Sequence, residues 1–135
     1  METQEENIMQ KMLFEAIPRG DVKEVKGLIA LGLNINMQDS AKQTHLHRAA
    51  IYGQTAIAKA LIEGGAKLDV RDRDGKTPFH LAAERDYIAL VKVFIDAGAD
   101  LSIPTDPYGS VINSAIQELI EEKIKAEIRK KIEAL

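Results

Sequence analysis

The chain has 135 residues, 45% apolar and 29% charged, a balance that suits one soluble globular domain. A formal charge of -3 gives no general attraction to nucleic acid or anionic membrane, and neither is expected as a partner. Without cysteine there is no disulfide framework, thiolate metal site or cysteine nucleophile.

Residues 1–7 are acidic and polar, unlike a secretory signal, and no stretch approaches the ~18 apolar residues of a spanning helix. The default expectation is a cytoplasmic protein, with export by a route lacking a classical signal left open. Next, Gly20 suits the left-handed turn between two paired helices. Asp21 and Glu24 after it resemble a capping box, and Val22, Val25, Leu28 and Ile29 are spaced to face one side of the second helix.

From here the chain repeats itself at an offset of 33 residues, the signature of stacked units rather than of a closed globule. Gly32, Gly65 and Gly98 recur at that spacing, as do Thr44 with Thr77, His47 with His80 and Ala49-Ala50 with Ala82-Ala83. Between residues 39–71 and 72–104, 11 of 33 positions are identical, and several of the differences, such as Leu46/Phe79, Ile57/Leu90 and Leu61/Phe94, exchange one apolar residue for another at the same phase. Thr44 and Thr77 stand where a hydroxyl can accept from the free N–H groups of a first helical turn, and Pro78 suits the first helical position. Residues 37–43 and 70–76 should be projecting turns. Lys42 stands in phase with Gly75, and Asp86 with Gly53, so both are expected at positive φ. Asp tolerates that region, whereas Lys pays about 1 kcal/mol.

The run from Asp72 to Ala83, D-R-D-G-K-T-P-F-H-L-A-A, resembles the turn and T-P-L-H-x-A helix start of the ankyrin-repeat family. The resemblance covers roughly residues 10–104, with His45 in the place of the family's proline. It implies an all-α solenoid of stacked helix-turn-helix units joined by β-turn fingers, about four units including caps. The single domain, 1–135, then divides into a capping repeat (5–38), two full repeats (39–71 and 72–104) and a closing cap with an extended helix (105–135). It also implies a protein-protein interaction module, an adaptor or dedicated inhibitor, without catalysis or cofactor.

In such proteins the partner lies on the concave side. Carried over by position, the contacts are Gln38, Ser40, Ala41, Gln43, Arg48, Ile51 and Tyr52, then Arg71, Arg73, Asp74, Lys76, Leu81, Glu84 and Arg85. Pro18 and Arg19 open the row and Tyr108 closes it. Tyr52 beside Ile51 is the expected anchor, since aromatic and arginine residues dominate interface energetics; alternatively, Ile51 packs on a neighbouring finger. The arginines and Lys76 lean the groove positive and favour an acidic stretch on a protein partner, while Asp72, Asp74 and Glu84 dilute the field. His47 and His80, at equivalent places, are expected to tie each helix start to the neighbouring finger, and no metal site is expected of them. Asp39, Asp69, Asp72, Asp74 and Asp100 lie at repeat turns, where Asp holds its own backbone, and no acid/base pair follows.

Ser110 should cap a final helix beginning at Val111, with no Gly or Pro as far as Leu135. Ile116, Ile120, Ile124, Ile128 and Ile132 lie four apart, a row that drifts about 40° per step. Its early half, with Val111, Ile112 and Ala115, should cover the last repeat. Its later half requires either a chain break near Glu121 and a second cap helix, the preferred expectation, or a reach to another surface. The alternative function is self-assembly through this segment, with Ile124, Ile128, Ile132 and Leu135 in contact; a monomer is favoured over a homo-oligomer.

Overall fold

A computed structural model of the chain describes residues 3–102 and 114–135, with side chains of the last segment described from Ile116 onward. Among the described residues there are seven helices and no strand: α1 (Gln4–Arg19), α2 (Val22–Ala30), α3 (His45–Ile51), α4 (Thr55–Glu63), α5 (Pro78–Glu84), α6 (Ile88–Ala97) and α7 (Ser114–Glu133). The helix pairs stack in two layers, α1, α3 and α5 in one and α2, α4 and α6 in the other, and α7 lies against α6. Each pair is amphipathic and too short to hide its apolar side alone, so one continuous core runs through the stack from Leu13 and Ile17 through Leu46, Ile57 and Leu61 to Phe79, Leu90, Phe94 and Ile116.

Local chemistry sets the boundaries. Thr44 and Thr77, both extended, accept from the backbone N–H of His47 and His80, whose ring Nδ1 atoms accept in turn from the threonine N–H at 3.0 and 3.1 Å. The imidazole thereby takes the part that glutamate plays in an ordinary capping box. At the start of α2 only half of the expected box forms. Asp21 accepts from Glu24 N–H at 3.1 Å, but the Glu24 carboxylate turns to Arg19 at 2.7 Å, a stronger, charge-assisted partner.

The left-handed positions fall where the phase of the repeat puts them. Gly20, Gly53 and Asp86 have φ of 70°, 64° and 58°, and Gly75 and Lys42 have φ of 78° and 59°. Lys42 therefore holds a conformation that glycine adopts without strain.

The preferred expectation of a break near Glu121 is overturned, because α7 runs unbroken from Ser114 to Glu133. With no Gly or Pro in the segment, ending the helix there would have forfeited backbone hydrogen bonds without any residue to satisfy them. Ile116 is buried and Leu119 and Ile120 are partly buried against the core, whereas Ile124, Ile128 and Ile132 are exposed, as the drift of the row requires. The expected cap at Ser110, the helix start at Val111, and Tyr108, Ile112 and Ala115 lie outside the described residues or side chains.

Candidate partner-binding face

Two fingers stand beside the first helices, each held by one aspartate. Asp39 Oδ1 accepts from Ala41 and Gln43 N–H, both at 2.9 Å, and Asp72 Oδ1 from Asp74 and Lys76 N–H at 2.9 and 3.0 Å. The fingers are joined by Arg73 N–H donating to Ala41 O at 2.9 Å. His47 Nε2–H completes the frame by donating to Lys76 O at 2.9 Å. Both His47 nitrogens are thus occupied by structural bonds, and burial lowers its pKa, which keeps the ring in the neutral form those bonds need. Asp69 departs from the expected pattern: rather than holding its own turn, it accepts from Asp100 N–H of the next repeat at 2.9 Å, as Asn36 does from Lys67 N–H at 2.8 Å. Among the described residues, no group of three His, Cys, Asp or Glu could hold a metal ion.

The residues expected on this face separate into two sets. Ser40, Tyr52, Arg73, Asp74 and Arg85 are exposed. Gln38 and Arg71 are exposed too, but like the less exposed residues they serve the frame as well. Gln38 Nε2 donates to Lys42 O at 2.8 Å, Gln43 Nε2 to Asp72 Oδ2 at 3.3 Å and Arg71 Nε to Gly75 O at 3.2 Å. Lys76 pairs with Glu84 at 3.0 Å, which raises the lysine pKa and cancels its charge within the face. Ala41 is half-buried. Ile51 is partly buried against the core. Leu81 is a correction: it is buried and belongs to the core, because α5 turns that position toward its neighbours. Pro18 and Arg19 close α1, and Arg19 is committed to Glu24.

The most distinctive arrangement centres on Arg48. Its guanidinium carbon lies 3.5 Å from the centroid of the Phe14 ring and 5.4 Å from that of Tyr52, and Nη2 donates to Phe14 O at 3.4 Å. Phe14 and Tyr52 remain 44% and 46% exposed, so two rings and a cation form a surface cluster. Beside it lies a hollow of about 290 Å³ lined by, among others, Gln10, Phe14, Met37, Gln43, His45 and Arg48. Two buried polar atoms here have no hydrogen-bond partner, Arg48 Nε and His45 Nδ1. His45 Nε2–H donates to Gln10 Oε1 at 2.7 Å, while Gln10 Nε2 donates to Asn34 O at 2.6 Å, so the ring is pinned. Burial, reinforced by the Arg48 charge and partly opposed by Asp39, pushes the His45 pKa down to about 4.

Phe14, Gln10 and Met37 were not singled out from the sequence. The signal for Phe14 was present: it stands 33 residues before His47, so a large apolar ring replaces the buried polar tie of the other repeats.

Among the described residues no helix is long and apolar enough to cross a membrane. Comparison with curated proteins finds no match. Ankyrin repeats are generic protein-protein interaction modules and typically lack catalysis. A family model described as ankyrin repeats (3 copies) matches residues 13–105, more than half of the chain, and the chain belongs to the ankyrin-repeat family.

Proposed function

We propose that this chain is a non-catalytic adaptor or dedicated inhibitor that takes a protein partner on the face built from α1, α3, α5 and the two fingers. The observation that carries the reading is the Arg48 guanidinium stacked on the exposed Phe14 ring and within 5.4 Å of the exposed Tyr52 ring, beside an apolar hollow. Aromatic and arginine side chains that are already rigid contribute most to interfaces, since little rotamer entropy remains to be lost on binding. A partner side chain entering the hollow would displace solvent from Phe14 and Met37. A partner with an acidic stretch fits Arg71, Arg73 and Arg85, since Lys76 is neutralised by Glu84. In this proposal the binding frame is the capping repeat with the two full repeats, residues 5–104.

The test is affinity capture from native extract with the full chain and with a Phe14→Ala/Tyr52→Ala/Arg73→Ala variant. Capture should fall on the order of tenfold or more, as expected when hot-spot residues are truncated. The melting curve should stay nearly unchanged, because all three side chains are exposed. Undiminished capture by a folded variant would remove this face from consideration.

A further inference from the structure

The later half of α7 is an apolar feature that the proposed function leaves unused. Ile124, Ile128 and Ile132 are 47%, 52% and 62% exposed, and Leu135 is fully exposed. A chain folded back near Glu121 would have hidden them within one molecule; the straight helix leaves them outside. A groove of about 560 Å³ runs between α7 and the end of the third repeat, lined by Ile95, Ala99, Leu101, Ile120 and Ile124 among others, so the apolar stripe continues into a recess.

We infer that α7 pairs, antiparallel, with the α7 of a second copy of this chain. The charge order along the helix selects that occupant. Glu118, Glu121 and Glu122 outweigh Lys123 and make its first half acidic, while Lys125, Arg129, Lys130 and Lys131 outweigh Glu127 and Glu133 and make its second half basic. A parallel pair would set acid beside acid and base beside base. An antiparallel pair centred near Ala126 sets each acidic stretch level with the basic end of the other copy, which favours that direction over the parallel one. The same centre brings Ile124 level with Ile128 of the second copy, and Ile120 level with its Ile132. The isoleucine spacing is therefore self-complementary, as an isologous two-fold contact demands. It also brings the second copy's Ile132 and Leu135 toward the groove under Ile120 and Ile124. Contact through a single helix and one groove makes a small interface, and the dimer is correspondingly weak.

The experiment is sedimentation equilibrium on the full chain from micromolar to submillimolar concentration, together with two charge-reversed variants. One is Glu121→Lys/Glu122→Lys, the other Lys130→Glu/Lys131→Glu; all four positions are exposed, and circular dichroism verifies that each variant keeps its helix. The natural chain should approach twice the monomer mass at high concentration. Each variant alone should lose self-association by tenfold or more, and an equimolar mixture of the two should recover it, because each supplies the charges the other lacks. Monomer mass for the natural chain at every concentration overturns the inference and leaves this face to a different partner. Variants that self-associate as well as the natural chain, or a mixture that fails to recover pairing, also overturn it.

Discussion

The stacked repeats and the last helix use aliphatic side chains in opposite ways. Ile57, Leu61, Leu90 and Ile95 sit in a core shared between neighbouring units, whereas only Ile116 in the isoleucine row of α7 is fully buried and Ile124, Ile128 and Ile132 face outward. The reason is geometric. A helix of 9 or 10 residues, such as α4 or α6, is short enough to keep its apolar stripe against the neighbouring helices along its whole length. In the 20-residue α7, a row spaced by four rotates away from the stack before the helix ends. Burial in this fold is therefore a property of helix length relative to the repeat as much as of residue type.

The largest effect that would sharpen this contrast is in the core. Phe94→Ala should cost about 3–5 kcal/mol, enough to unfold much of a small repeat array, whereas Ile128→Ala should change monomer stability by less than about 0.5 kcal/mol. Equilibrium urea unfolding at low protein concentration measures both, and similar losses at the two positions would contradict the division drawn here.

Next in size is an acid sensitivity confined to the stack. The unfolded chain takes up a proton on His45 near pH 6.5, but the folded chain resists it until about pH 4. Stability is therefore complete above pH 6.5 and falls as the pH drops through that window, by about 3 kcal/mol at most from His45. His47, also lowered by burial, adds in the same direction. His45→Pro should reduce the loss, since Thr44, with φ -94° and ψ 172°, already has the extended backbone that Thr77 shows before Pro78. Melting curves of both proteins between pH 7 and pH 4.5 decide the matter; equal slopes would mean that His45 is not the group titrating.

The smallest effect concerns the fingers. Lys42→Gly should raise stability by up to about 1 kcal/mol by relieving the positive φ, partly offset by the entropy of glycine in the unfolded chain. No gain in the unfolding midpoint would show that the finger absorbs the strain elsewhere.

Much of the stack was legible before any coordinates. Threonine caps, left-handed turns and finger aspartates are local devices, each written in a few adjacent residues, and the 33-residue period carried each from one unit to the next. Even the left-handed Lys42 and Asp86 followed from phase alone. The face was less legible because its side chains interact across units. Leu81 and Arg48 occupy the same place in successive repeats, yet one is buried and the other stacks on Phe14 of the preceding repeat. No periodicity distinguishes those two environments.

By itself, then, the sequence determined the repeat, the helix starts, the reversals and the tie made by His47, because each depends on contacts within a unit or between equivalent positions. Only the tertiary structure decided that Lys76 is committed to Glu84 and that Phe14, Arg48 and Tyr52 converge beside a hollow. Those outcomes depend on which side chains distant in sequence meet in space, within a unit or across two, and that is set by the packing of the whole stack.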